Sequence, residues 1–400
     1  MLGLLYFDSK GSKMPLDIHI TGTGLITSGG ATAAENWKTL CHGKNNFIIE
    51  DGSFISRLQP QVAESIAALR SDKLLLLVDR IALMGITSAR EATSHVSPSV
   101  LKSSMVIVGT SRGSLESNEN AIRKYDQTGE IEKFRSMSTH IGSISAAISY
   151  SLGCKGSSMT IGSACISGIQ AIGIGATLIK EGHSNTAIVG GMEAPLTTYT
   201  LKQIKTLGIQ TTLTEKDFPC KPFHPNRGGT VFGEGAATLF LEKNPSGPSL
   251  GIIKSYYATI ESGMKPGHSE HAQSLGTAVM VALERAGIAG SDIDLIVGHG
   301  SGTEVGDDAE QRCYRAIFGD SVPFIALNKW ALGHLVGGSG ALNTVMACFH
   351  MKEGFVPAHP YFDATSPFSK SLSRQIKTVL VAALGLGGGA AALIIQKPNN

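Results

Sequence analysis

A cysteine sits at the centre of Gly162-Ser163-Ala164-Cys165-Ile166-Ser167-Gly168. A strand-like segment, Ser157 to Ile161, precedes it, and a run rich in small residues, Ile169 to Lys180, follows it with helical spacing as far as Glu181-Gly182. Small residues permit a tight strand-to-helix turn that aims the sulfur outward over the positive end of a helix dipole. That setting lowers a thiol pKa and makes a nucleophile. An isolated cysteine in such company is more often inert packing, so the reading depends on what else the chain brings to a thiolate.

Three glycine-rich segments supply it. Gly298-His299-Gly300-Ser301-Gly302-Thr303 follows the strand Leu295-Ile296-Val297, and a histidine at the end of a buried strand faces the cleft where α/β proteins bind ligands. Asn328-Lys329-Trp330-Ala331-Leu332-Gly333-His334 brings a second imidazole beside a lysine, with Gly337 to Ala341 allowing close helix approach. Leu384-Gly385-Leu386-Gly387-Gly388-Gly389-Ala390 is rich in free backbone N–H groups; the strand-like Ala391 to Ile395 after it rules out a dinucleotide loop, which needs a helix there. A thiolate that attacks a carbonyl, amides that hold the oxyanion and imidazoles that bind a second carbonyl together meet the needs of acyl-thioester chemistry.

Other candidates carry less. His268 and His271 flank Glu270 in a polar loop without a third convergent ligand and read as solvated, and His224 between prolines reads as a turn residue. Asp307 and Asp308 read as caps of a helix that Glu310 begins, with Glu310 able to support the site by ion pairing. Cys41, Cys154, Cys313 and Cys348 read as packing.

The elements that must position these groups alternate. Strands are expected at 17–27, 104–109, 157–161, 186–191, 251–258 and 294–297, and helices at 34–40, 116–126, 138–152 and 274–286. Residues 60–95 read as helical, with Leu74 to Leu77 and Ile81 to Met84 buried, and Thr230 to Glu242 as a glycine-bent strand pair. Ile107-Val108-Gly109-Thr110-Ser111-Arg112-Gly113 and Ile296-Val297-Gly298-His299-Gly300-Ser301-Gly302 look like one strand-into-loop element used twice. The pattern predicts α/β layers with mainly parallel crossovers and two halves sharing one core.

Composition agrees. The chain has 400 residues, 42% of them hydrophobic and 16% charged, and its 34 Lys and Arg nearly balance 32 Asp and Glu, so no net field points to nucleic acid or an anionic membrane. Six cysteines without a CxxC pair argue against a zinc site or disulfide framework and fit a reducing cytoplasm. The apolar run Leu2 to Phe7 is too short for a signal peptide or membrane span, and Met14 is an alternative start.

In this order and spacing the segments resemble the chain-elongating β-ketoacyl-ACP synthases of the thiolase-like superfamily. The likeness runs from Ile20-Thr21-Gly22 to Ile395 and includes Lys221-Pro222-Phe223 and Gly233-Glu234-Gly235-Ala236. The resemblance implies a thiolase-like α/β fold, two similar halves in a five-layer α-β-α-β-α arrangement. Residues 14–250 would carry the nucleophile and residues 251–400 both histidines, with 1–13 an extra segment. It implies that Cys165 takes an acyl group from acyl carrier protein and that His299 and His334 drive decarboxylation of a malonyl thioester. Lys329 would set the field near His334, the amides of Cys165 and Leu386 would form the oxyanion hole, and Ser301 and Thr303 would bind the phosphopantetheine arm. No tightly bound cofactor or metal is implied; the partners are acyl carrier protein and a second synthase chain, the same or related, in the cytoplasm.

The chain departs from the family pattern at several points. Ile166 stands where a small or hydroxyl residue is usual, Leu386 replaces a gating Phe, Gly389-Ala390 replaces Thr-Asn, and Arg227-Gly228-Gly229 lacks the usual Asp. Ile166 and Leu386 are therefore expected to shape the acyl site for an unusual chain, such as a polyene or polyketide intermediate of secondary metabolism. A catalytically weak partner subunit of a heterodimeric synthase, or an acyltransferase using the same cysteine, are the alternative readings.

Overall fold

The computed structural model describes residues 15–261 and 269–398. Ten strands form its main sheet: β1 (Ile18–Ile26), β2 (Met105–Gly109), β3 (Ser158–Ile161), β4 (Thr186–Glu193), β5 (Gly235–Glu242), β6 (Gly251–Ile260), β7 (Leu295–Val297), β8 (Phe324–Ala326), β9 (Thr378–Gly385) and β10 (Gly389–Gln396). Their spatial order is β8-β7-β9-β10-β6-β1-β5-β4-β2-β3. Counted within each half, both run first-fifth-fourth-second-third, and the two first strands meet antiparallel, His19 opposite Ile252. The short internal likeness is thus a real duplication, because β2 and β7 are the second strands of the two halves.

Helices complete the layers. α1 (Arg80–Ala92) and α2 (Ser143–Leu152) cover the outer face of β1–β5, while α4 (Gln273–Ala286) and α5 (Glu304–Phe318) lie on the far side of β6–β10. Between the two five-stranded halves of this sheet, each a sheet layer of its own, α3 (Ser167–Lys180) packs against α6 (Ser339–Glu353), each following the third strand of its half. Burial on all sides explains why α3 and α6 show little amphipathic stripe and many small residues. A β-carbon on Gly168 would come within 2.9 Å of the Gly337 carbonyl oxygen, so glycine there lets the central helices meet. Among the described residues, no helix is long and apolar enough to cross a membrane.

Three expectations need correction. The sheet is mixed: β2–β3, β2–β4, β7–β8 and β7–β9 are parallel, but β1–β5, β4–β5, β6–β10 and β9–β10 are antiparallel. The three residues joining β9 to β10 cannot cross over the sheet, so that pair has to be a hairpin. Residues 60–95 are not one helical stretch: helices span Pro60–Ala67 and Arg80–Ala92, with a 3-10 turn Ala68–Ser71 and turns between them. Within those turns Leu75 is buried but Leu74 and Leu76 are exposed, since an apolar run has no periodicity to say which members face inward. Finally, α5 begins at Glu304 rather than Glu310, and its N-cap is Thr303, whose hydroxyl accepts from the Gly306 amide.

Candidate active site

Cys165 lies between β3 and α3, His334 between β8 and α6, His299 just after β7, and Leu386 just after β9. All four follow the carboxyl ends of strands, so the two halves deliver them to one region between the sheets. Cys165 and His334 occupy the same topological place, the joint between third strand and central helix.

The Cys165 turn is strained and tied down. Ala164 adopts φ 49°, the left-handed region that costs a non-glycine residue about 1–3 kcal/mol and clusters at functional sites. The Ser167 hydroxyl braces it, accepting the Ser163 amide at 2.8 Å and lying 3.0 Å from the Thr110 carbonyl oxygen. The backbone N–H groups of Leu386 and of Cys165 itself both favour the thiolate form of the sulfur. Burial pushes the thiol up to about 11; the Leu386 amide and the Lys329 charge pull the other way, and Glu193 adds to the rise. The lowered pKa expected from the helix dipole is therefore not what the resting site has: the sheets close over the sulfur, and desolvation outweighs the favourable dipoles.

The imidazoles meet edge to face, with ring centroids 5.4 Å apart. His334 Nδ1 lies 2.7 Å from Ser339 Oγ, while burial and the Lys329 charge hold the ring well below the usual imidazole pKa, hence neutral. Two backbone hydrogen bonds fix its loop: His334 N–H donates to Val231 O at 2.8 Å and Gly233 N–H to His334 O at 3.0 Å. That is the work of the Thr230 to Gly235 signature, which threads between His334 and Ser56. Gly333 has φ 77°, and a β-carbon there would lie 2.5 Å from Ser56 Cβ, so only glycine fits.

Glu310 organises the His299 loop. It accepts the His299 amide at 2.7 Å, the Gly300 amide at 2.8 Å and the Tyr314 hydroxyl at 2.7 Å. Burial raises its pKa to about 7 in spite of these donors. Lys329 donates to the His299 carbonyl oxygen, and burial lowers its pKa while Glu310 supports its charge. Asn343 donates to the Gly298 carbonyl at 2.9 Å and accepts from Asn328 at 3.0 Å, linking the two histidine loops. Ser301 and Thr303 share a hydrogen bond of 2.8 Å, and Ser301 Oγ lies 3.0 Å from Asp307 Oδ1. Asp307, read from sequence as a helix cap, is instead buried and accepts from Phe223 N–H and Gly302 N–H. Arg227, which lacks its usual aspartate neighbour, finds Asp308 at 2.5 Å on α5.

One buried group that braces the site had no motif to announce it. Glu193 ends β4 fully buried and accepts from Thr110 Oγ1, Ser111 N–H, Arg112 N–H and Gly337 N–H, clamping the loop after β2 to the start of α6. Its one signal was a carboxylate closing an eight-residue apolar strand. Of the groups set aside, His224 does lie in a turn, and His268 is outside the described residues.

A duplicated thiolase-like fold with cysteine, histidine and histidine at its strand ends defines a class of condensing enzymes. Family models agree: "Beta-ketoacyl synthase, N-terminal domain" matches residues 16–246 and "Beta-ketoacyl synthase, C-terminal domain" residues 250–363. The chain belongs to the β-ketoacyl synthase family and is an enzyme of that class. It is 25% identical to the tetracenomycin polyketide synthase ketoacyl synthase alpha subunit of Streptomyces glaucescens, over 95% of this chain and 97% of the relative. It is 24% identical to 3-oxoacyl-[acyl-carrier-protein] synthase 2 of Staphylococcus aureus, over 94% and 97%. Among solved structures, the ishigamide ketosynthase/chain length factor shares the fold with a TM-score of 0.85 at 21% identity, covering 96% of this chain and all of that one.

Proposed function

We propose that the chain catalyses decarboxylative Claisen condensation between an acyl group on Cys165 and malonyl-ACP, giving a 3-oxoacyl-ACP two carbons longer. The acyl carbonyl forms a bond to the Cys165 sulfur as its bond to the carrier thiol breaks, and the released thiol takes the proton. His299 and His334 then bind the malonyl thioester carbonyl; the bond from the α-carbon to the carboxylate breaks, carbon dioxide leaves, and the bonding pair stays on the thioester fragment as its enolate. The enolate carbon attacks the Cys165 thioester, and the sulfur departs. Neutral His334 suits this second step, because an imidazole N–H donates to an enolate without first surrendering a charge. The amides of Cys165 and Leu386 hold the oxyanion, Lys329 supplies field, and Ser301 and Thr303 receive the phosphopantetheine arm.

The observation that carries this reading is convergence: the hairpin that bears Leu386 packs on the Cys165 backbone, the sulfur feels Lys329, and Lys329 binds the carbonyl of His299, whose ring meets that of His334. Ile166 and the half-exposed Leu386 would fit the site to an unusual acyl chain, of polyene or polyketide type. The division into halves at residue 250, with residues 1–13 outside them, belongs to the same reading, as do a cytoplasmic setting and substrates borne on carrier protein rather than a bound cofactor. Residues 1–13 lie outside the described residues.

Intact-protein mass spectrometry after incubation with acyl-ACP is expected to find one acyl adduct, lost in Cys165→Ala. His334→Ala should keep the adduct and lose condensation. An adduct that survives in Cys165→Ala sinks the assignment, and a wild type that never acylates favours a partner subunit.

A further inference from the structure

Ile166, the residue after the nucleophile, is buried, and its neighbours are specific. Its Cδ1 lies 3.2 Å from where a β-carbon on Gly389 would sit, and its Cγ2 lies 3.6 Å from the same point on Gly385. Those two glycines are the paired ends of the β9–β10 hairpin, and only Leu386, Gly387 and Gly388 lie between them. Ile166 therefore packs against the base of the turn that carries Leu386, whose first residue, Gly385, also lies against the Cys165 backbone, a β-carbon there coming 3.5 Å from Cys165 N; the Leu386 N–H favours the Cys165 thiolate. On its other side the turn is held by Glu261, whose N–H donates to Gly388 O at 3.0 Å. Gly387 and Gly388 need their glycines for backbone reasons, with φ 90° and 85°. Gly389 has no such need, because it sits in regular β10 pairing opposite Ile260. What a side chain at 389 would take is the space that Ile166 fills.

We propose that Ile166 and Gly389 form a knob-and-space pair that sets the Leu386 amide against the Cys165 sulfur, making Ile166 a positioning residue that acts through the hairpin. This rests on the reading of Cys165 as the acyl-bearing group and deepens it. A bulkier residue at 389 pushes Ile166, and with it the adjoining Cys165, or pushes the hairpin end, and with it Leu386. Either movement lengthens the contact between amide and sulfur. Shortening residue 166 returns the room, so the two positions have to be read as one unit of fixed combined size.

The test is a size-swap cycle on the full chain: wild type, Gly389→Thr, and Gly389→Thr with Ile166→Ala. Its readout is the pH profile of Cys165 alkylation by iodoacetamide, resolved from the other thiols by peptide mass, with thermal melting to establish folding. Gly389→Thr is expected to slow alkylation at pH 8 at least tenfold and to move the profile to higher pH. The double variant should return to within threefold of wild type. A merely structural role would not be repaired by a second substitution that itself removes buried methylenes. A double variant as slow as Gly389→Thr, or a folded Gly389→Thr that alkylates at the wild-type rate, overturns the proposal. Should Gly389→Thr not fold, Gly389→Ala takes its place, since its lone β-carbon already meets Ile166 at 3.2 Å. Alkylation needs no acyl donor, so failure of the acyl-ACP reaction would remove the proposed function and leave this result standing.

Discussion

With its thiol pushed up to about 11 by burial, Cys165 is predominantly protonated at pH 8. The sulfur is thus held in reserve, and what draws it into the anionic form is local: the Leu386 amide and the Lys329 charge. Alkylation of Cys165 should rise steadily with pH through the alkaline range, since only the thiolate reacts. Lys329→Met removes a cation that lowers the thiol pKa, so its profile should lie further alkaline, with the rate at pH 8 down by about fivefold. Identical profiles for the two proteins, followed by iodoacetamide incorporation, would mean that the ammonium does not reach the sulfur. The arrangement also separates roles: His334 is kept neutral by burial and by the same lysine, so one cation favours a thiolate and disfavours an imidazolium.

At the scale of elements, each loop is placed by backbone contacts from another part of the chain. The segment from Val231 to Gly233 holds His334, Glu310 on α5 holds His299 and Gly300, and Glu193 at the end of β4 holds the start of α6. Gly333 is where this arrangement is least tolerant. Gly333→Ala puts a β-carbon against Ser56 in a left-handed conformation, and should destabilise the chain by about 2 kcal/mol in urea unfolding. Because the displaced residue is His334, condensation should fall much further than acylation of Cys165. Equal losses in both half-reactions would show that Gly333 serves stability alone.

The whole molecule ends in an open edge. Among the described residues no strand pairs with the outer side of β3, and Met159 on it is exposed, as are Ile131, Phe134, Met137 and Ile141 on the segments near α2. An unpaired edge strand next to exposed apolar side chains is a surface that proteins cover, and a second synthase chain pairing through β3 would extend the sheet. If two chains pair there, Met159→Asp with Ile131→Asp should leave single chains in sedimentation velocity where the wild type sediments as a pair. A pair that persists in the variant, or a wild type that sediments as a single chain, rules out this contact.

The duplication, the alternation of strands and helices, and the four segments that carry the site were all legible in the chain, because glycine turns and apolar runs are local and do not need the fold to be recognised. Cys165, His299, His334 and Leu386 could be marked from such turns alone. Their convergence could not, since it depends on β1 meeting β6 and on α3 lying against α6, contacts between residues hundreds of positions apart. Nor could the state of the thiol: the helix dipole is written in the local sequence, but burial, which outweighs it, is set by two sheets closing together. Glu193 was opaque for a related reason, and Glu310 could be read as a support for the site but not matched to the His299 and Gly300 amides it accepts. A carboxylate's role is fixed by which amides reach it, and those amides come from loops that only tertiary structure brings near.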